Sequence, residues 1–328
     1  MKVMITGGCG FIGHHFVEHV LAKTDWRIVI IDKLTYASMG LKRVKNSGVY
    51  YNDRVKILPI DFTQPFSEGI RKEIGDDVNI IVHMGAESHV DNSIVDPRLF
   101  FKNNIDGTVE LLEYARTLKE LDVFFYFSTD EVFGPAPKGI AYKEWDRHKP
   151  TNPYSASKAA AEDICLAYEN TYSVPIMIIN VMNAFGERQH VEKYVPMTIK
   201  KIMNGEKILI HSDKTKTKAG SRFYIHARNI SDAVLFLLKK GKVGEKYNVV
   251  GEKETDNLEM AQLISDYLGL PFDYEMVDFH SNRPGHDLRY CLDRTKMTDM
   301  GWAPPFLFEE SLKNTVKWTE RNKDFLED

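Results

Sequence analysis

Tyr154 and Lys158 stand at i and i+4 in Tyr154-Ser155-Ala156-Ser157-Lys158, at the head of an Ala-rich segment that reads as a helix. That spacing puts a phenol and an ammonium on one helix face, where the ammonium lowers the phenol pKa. Upstream, the apolar run Phe124-Phe125-Tyr126-Phe127 breaks into four polar residues, Ser128-Thr129-Asp130-Glu131. A buried parallel strand has this pattern where it opens onto a crevice. Together the two stretches offer a tunable base, hydroxyl donors and two carboxylates, which is acid/base equipment beyond what folding requires. Thr129 alone would read as a strand-end hydroxyl and Glu131 alone as a solvated charge; the triplet beside Tyr154 and Lys158 reads as an active site.

The elements that must position these groups are α/β in rhythm. Lys2 to Ile5 is a short strand feeding Thr6-Gly7-Gly8-Cys9-Gly10-Phe11-Ile12-Gly13, and an amphipathic helix follows from about Phe11 to Ala22. Gly7 allows the tight turn, Gly10 lets the backbone approach a pyrophosphate, and Gly13 permits close helix-on-strand packing. The helix N-terminus supplies N–H groups and dipole to the phosphates. A second strand, Arg27 to Ile31, ends at Asp32, an acid suited to the adenosine ribose hydroxyls. Asp32 repels a 2′-phosphate and so favours NAD over NADP, an argument that the ammonium of Lys33 blunts. Cys9 fills a free position of the loop and is assigned no chemistry; His14, His15 and His19 are expected on a solvated helix face.

Further strands are expected at Val55 to Ile60, ending at Asp61, and at Asn79 to His83. Helices are expected at about Pro65 to Ile74 and from Asp96-Pro97 to about Lys119, the latter opened by an N-cap acid and a proline at the first position. Alternating strands and helices imply a Rossmann-type, doubly wound parallel sheet. After Ile176 to Asn180 the rhythm weakens. The expectation is a cofactor domain over 1–182, with a return to its sheet near 225–250, and a smaller α/β substrate domain over 183–328. The lysine-rich stretch Asp213 to Ser221 reads as a solvated loop.

Bulk composition narrows the class. The 328 residues carry 27% charged and 43% hydrophobic side chains and a net charge of −4, which gives no reason to invoke nucleic acid. Cys9, Cys165 and Cys291 are far apart and form no CxxC pair, so neither a metal site nor a disulfide framework is indicated, and a reducing, cytoplasmic compartment is expected. No apolar run approaches a membrane span, and the N-terminus enters strand and glycine loop directly, so no membrane partner is expected.

With glycine loop, Ser128-Thr129 and Tyr154/Lys158 in place, the chain resembles the extended short-chain dehydrogenase/reductase superfamily. Within it, His83-Met84-Gly85-Ala86-Glu87-Ser88-His89-Val90-Asp91-Asn92-Ser93, Asp32 to Ala37, Ser128 to Gly134 and Arg283 to Tyr290 look like signatures of the nucleoside-diphosphate-glucose 4,6-dehydratases, above all those acting on dTDP-glucose. The similarity spans nearly the whole chain. The Thr129-Asp130-Glu131 triplet discriminates, since epimerases and reductases of the superfamily usually lack the acid pair.

The resemblance implies a hydro-lyase that uses NAD on a nucleoside-diphosphate hexose and feeds deoxysugar synthesis. Tyr154 would take the C4 hydroxyl proton while hydride leaves C4; Thr129 would hydrogen-bond the same oxygen. The ketone acidifies C5, Glu131 removes that proton, protonated Asp130 donates to the departing C6 hydroxyl, and hydride returns to C6. It further implies cofactor contacts from Phe11, Ile12, Lys33, Asp61, Phe62 and Ala86, and substrate contacts from Ser88, His89, Asn104, Asn183, Glu192 and Lys193. Arg222 and Arg283 would clamp the diphosphate. Two departures from the family pattern bear on the base: Ile208-Leu209-Ile210-His211-Ser212 stands where the dTDP enzymes show Leu-Pro-Ile-Tyr-Gly, and Glu187-Arg188-Gln189-His190 replaces aromatic and proline residues. UDP- and CDP-hexoses therefore remain alternatives. A homodimer through the helices starting near Pro97 and Tyr154 is implied. The rival readings are a 4-epimerase or 5,6-dehydratase of the same superfamily and a non-catalytic NAD-binding scaffold.

Overall fold

A computed structural model describes residues 1–278 and 288–327. Seven parallel strands form the central sheet: β1 (Lys2–Thr6), β2 (Arg27–Asp32), β3 (Val55–Pro59), β4 (Ile80–His83), β5 (Val123–Thr129), β6 (Ile176–Val181) and, after a long excursion, a strand at Lys246–Val249. The spatial order runs from Lys246–Val249 through β6, β5, β4, β1 and β2 to β3. Order reverses between β1 and β4, and the crevice beyond the carboxyl ends at such a switch point is where ligands bind in open parallel sheets. Every residue of β5 is buried, as a strand covered on both faces requires.

Two apolar layers cover the sheet. Helix α1 (Phe11–Lys23) packs with the helix Ala227–Lys240 on one face, with Phe16, Val17, Val234 and Leu237 in its core. Leu111, Leu112, Ala161 and Cys165 fill the other. A separate apolar cluster, including Ile199, Ile210, Ile264 and Leu312, joins Tyr194–Asn204, Asn257–Leu268, Phe308–Arg321 and the paired strands Ile208–Ser212 and Tyr274–Asp278.

Two local findings differ from the sequence expectations. The helix opened by Asp96 is not uniform: Pro97–Phe101 passes into a π-helical turn, Lys102–Asp106, before Gly107–Ala115, where it ends short of Lys119. Such insertions commonly re-aim side chains near functional sites, and this one carries Asn103 and Asn104. His14 and His15, expected in solvent, are buried at 0% and 2% exposure. His14 Nδ1 donates to the Gly10 carbonyl and His15 Nε2 to the Glu187 carbonyl, tying the glycine loop and a distant segment to α1; burial holds both rings neutral. With Glu18 they bring three metal-type donors within 4.8 Å, but the Arg188 guanidinium lies 3.6 Å from the Glu18 carboxylate and supplies the positive charge there.

Candidate active site

A cleft of about 890 Å³ runs along the carboxyl ends of the strands. At one end the glycine loop forms its floor. Gly7 adopts φ +70°, and a Cβ on Gly13 would lie 2.1 Å from the Gly7 carbonyl oxygen, so α1 packs onto the loop only because Gly13 has no side chain. Asp32, at the end of β2, accepts the Cys9 and Leu34 N–H groups at 3.0 and 2.8 Å and fronts the same cleft. Phe11, Ile12, Phe62 and Ala86 also line it, whereas Asp61 is exposed, accepts the Thr63 N–H, and is not among the lining residues. The Lys33 ammonium, still acting on Asp32 through its charge, donates to Asn103 Oδ1 at 2.5 Å and lies 3.8 Å from Glu87. The offset to 2′-phosphate repulsion that its position suggested is thereby reduced. These features fit a dinucleotide with free ribose hydroxyls.

The centre of the cleft collects Thr129, Asp130, Glu131, Tyr154 and Lys158. Strand β5 delivers Thr129, whose hydroxyl caps the 3₁₀ turn Asp130–Phe133 and donates to Asp130 Oδ1 at 3.0 Å. Tyr154 sits in the first turn of the helix Pro153–Tyr172 (α2). Asn152 caps that helix reciprocally: its Oδ1 accepts the Ser155 N–H at 2.8 Å, and Ser155 Oγ accepts the Asn152 N–H at 3.2 Å. Asn152 also donates its Nδ2 to Glu131 at 3.2 Å, so one residue orders both the helix start and a cleft-lining carboxylate. The Tyr154 N–H donates to Ser93 Oγ, and its ring meets Phe100 edge-on.

Electrostatics separate the acid groups. Burial, then the neighbouring Glu131 charge, raise the Asp130 carboxyl to about 7, opposed by Arg222 and by the Thr129 hydrogen bond. An acid held protonated beside an acceptor carboxylate is what elimination of water needs. Tyr154 departs from the sequence expectation: burial and then Glu131 push its phenol well above the usual range. Burial draws Lys158 down to about 8, with its Nζ 4.3 Å above the Tyr126 ring centroid. The phenol is thus held protonated, because burial disfavours its anion.

Toward the other end the cleft is lined by Ser88, His89, Asn183, Glu192, Lys193 and Arg222. Lys193 donates to the Ser88 carbonyl, and Arg222 donates from Nη1 to the Ser221 and Leu288 carbonyls while its guanidinium stacks 4.6 Å from the Tyr290 ring. Arg283 lies outside the described residues. Asn104, expected at the substrate, does not line the cleft. Its Oδ1 accepts the Glu87 N–H at 2.9 Å, and its Nδ2 donates to the Glu87 carbonyl and to Ser157 Oγ at 3.0 and 2.9 Å. It fixes the wall that carries Glu87, from a buried position that ligand does not reach. Asn104→Leu is expected to cost about 1–3 kcal/mol, the penalty for leaving the buried Glu87 backbone groups unpaired, measurable by denaturant unfolding. Asn152, Asn103 and Glu87 escape sequence reasoning; the Asn-Pro-Tyr-Ser capping pattern is the signal that could have found the first.

Parallel sheet, glycine loop and a Tyr/Lys pair at the switch point define a nucleotide-dependent enzyme of the extended short-chain dehydrogenase/reductase type. The GDP-mannose 4,6 dehydratase family profile matches residues 4–315. The chain is 34% identical to dTDP-glucose 4,6-dehydratase of Haemophilus influenzae, over 97% of both chains. DesIV, a dTDP-glucose 4,6-dehydratase of Streptomyces venezuelae solved with NAD bound, superposes with a TM-score of 0.89 at 31% identity, over 100% of this chain and 99% of that one. UDP-glucose 4-epimerase of Thermus thermophilus, solved with NAD, does so at 0.86 and 26%, over 98% of this chain and 99% of the other. The chain belongs to the GDP-mannose 4,6 dehydratase family, in the extended short-chain dehydrogenase/reductase superfamily.

Proposed function

We propose that the protein is an NAD-dependent hydro-lyase that converts a nucleoside-diphosphate glucose into its 4-keto-6-deoxy derivative. The observation that carries this reading is the Asp130–Glu131 pair beside Thr129, with Asp130 held at about 7 by burial and by Glu131. A 4-epimerase needs only C4 oxidation and return, for which Tyr154 and Lys158 suffice; the acid pair is surplus to it.

When bound, NAD supplies a hydride acceptor and donor for the sugar and a positive charge beside the phenol. Gly7, Gly10, Gly13 and Asp32 would hold it. Tyr154 accepts the C4 hydroxyl proton, helped by the Lys158 ammonium, and Thr129 hydrogen-bonds the same oxygen. Glu131, ordered by Asn152, takes the C5 proton made acidic by the C4 ketone. Asp130 gives its proton to the C6 hydroxyl, which leaves as water. Lys193 and Arg222 offer positive charge to the diphosphate.

Residues 1–182, with 225–250, serve the cofactor and the remainder of 183–328 the nucleotide sugar. The protein works as a cytoplasmic homodimer through the helices starting at Pro97 and Pro153, on the first of which Leu99 and Phe101 are exposed; among the described residues no helix is long and apolar enough to cross a membrane. Light scattering after gel filtration tests the dimer.

The chemistry is tested by incubating the purified protein, with and without added NAD, with dTDP-, UDP- and CDP-glucose separately. Loss of one water and a new C6 methyl resonance are expected with one of them. Unchanged sugar in all three overturns the glucose 4,6-dehydratase reading, and a C4 epimer with no loss of mass selects the epimerase.

A further inference from the structure

Glu162 lies in the middle of α2 with no exposed surface, does not line the cleft, and has no part in the steps above. Its Oε1 accepts a hydrogen bond from Asn180 Nδ2 at 2.6 Å, and the same Nδ2 donates to the backbone carbonyl of Thr129 at 3.2 Å. Its Oε2 lies 2.6 Å from the ammonium of Lys246, on the strand that returns to the sheet, and 3.3 Å from His148 Nε2. A buried ion pair of this kind is weak evidence of a stabilising role, since apolar residues of similar volume often serve the fold as well. The placement points elsewhere. Glu162 follows Lys158 at i+4, so the two stand one above the other on the same helix face.

We propose that Glu162 is a positioning residue for the Tyr154–Lys158 pair: from one helical turn beyond Lys158 it sets a buried carboxylate on the same helix face as that ammonium, and through Asn180 it fixes the Thr129 carbonyl. The inference rests on the reading of Tyr154 and Lys158 as the oxidation pair. Lys158 is buried and, among the described residues, has no carboxylate within ion-pair distance. The titratable groups that act on it or touch it are Glu162 and Cys165 from α2, Tyr126 from β5 and His83 from β4, and Tyr154 precedes it by one helical turn. Burial pushes Cys165 and Tyr126 up and His83 down, which leaves all three neutral, and Tyr154 is protonated. Glu162 is therefore the negative charge in that group. Facing Glu162 in turn are Lys246 and His148, the latter also 3.5 Å from Asp163. Burial lowers Lys158 to about 8, and Glu162 is the first cause acting against it. Without Glu162 the same burial acts unopposed.

The test is an NMR titration of the purified protein carrying 13Cε-labelled lysine, with the Lys158 signal assigned by its loss in Lys158→Met. In Glu162→Gln the Lys158 midpoint is expected to fall by about one unit or more, a tenfold change in its protonation ratio. In Lys246→Met, which removes the cation 2.6 Å from Glu162 and leaves His148 beside it, the midpoint should rise. Glu162→Asp should hold it near the wild-type value. Two variants that shift one midpoint in opposite directions cannot reflect general loosening. A midpoint unmoved in both Glu162→Gln and Lys246→Met overturns the proposal, and if Glu162→Gln does not fold, the sign in Lys246→Met decides. The titration needs no turnover, so a protein inert toward every nucleotide glucose would sink the dehydration reading without touching this result.

Discussion

Asp130→Asn is expected to stop water loss while C4 oxidation continues. The asparagine keeps the shape of the side chain and its place beside Thr129 but has no proton to give a departing hydroxyl, so elimination should slow by about 10²–10⁴-fold, the usual worth of a positioned general acid. Mixing the variant with substrate in a single turnover should produce the near-ultraviolet absorbance of reduced nicotinamide, and that signal should persist because the sequence stalls before hydride return. Loss of oxidation and elimination together would remove Asp130 from its assigned role.

The pH dependence has a definite sign. Asp130 titrates at about 7, so it is protonated below and ionised above, and water loss by the wild type should fall as pH rises through 7. The variant should lack that limb. Stability follows the same linkage: the folded carboxyl binds its proton more tightly than the unfolded one, so its contribution is complete at low pH and is lost between the unfolded value near 4 and the folded value of about 7. Asp130→Asn should consequently be at least as stable as wild type at pH 8 by denaturant unfolding, which separates a catalytic defect from a folded-state one.

The second large effect is expected from Tyr154→Phe. The ring and its edge-on contact with Phe100 are retained, and the helix start is unaffected because it is held by Asn152, Ser155 and the Tyr154 backbone N–H. Only the phenol oxygen goes. Both partial reactions should then fall by about 10²–10⁴-fold, since without the C4 ketone the C5 proton stays unreactive. Affinity for the nucleoside diphosphate, measured calorimetrically, should be unchanged, because the proposed diphosphate contacts Lys193 and Arg222 are untouched. A variant that still forms reduced nicotinamide at the wild-type rate would assign the base to another group. Together the two variants dissect the reaction: Tyr154→Phe blocks it before reduced nicotinamide forms, and Asp130→Asn after.

Burial, then the neighbouring Glu131, raise the Tyr154 phenol. The spacing of Tyr154 and Lys158 suggests a phenol already lowered by its lysine. Geometry reverses that, because the ammonium rests over Tyr126 and the phenol is fully desolvated. Desolvation depends on what covers the residue, and no local pattern records it.

The groups readable from the chain are those joined by short covalent spans. Gly7, Gly10 and Gly13 act within one turn, Thr129, Asp130 and Glu131 are adjacent, Tyr154 and Lys158 share a helix face, and alternating strands and helices specify a parallel sheet whose carboxyl edge must carry the site. Hydrophobic spacing and backbone freedom are local properties, so sequence by itself determined them. Tertiary structure decided which distant partners finish each group: Asn152 for Glu131, Asn104 for the Glu87 wall, Asn103 for Lys33, Asn180 and Glu162 for Thr129. It also buried His14 and His15, which read as surface residues until the segment at Glu187 covers them. Pairings of this kind follow from how layers pack and from how strongly burial penalises charge, and both depend on residues far apart along the chain.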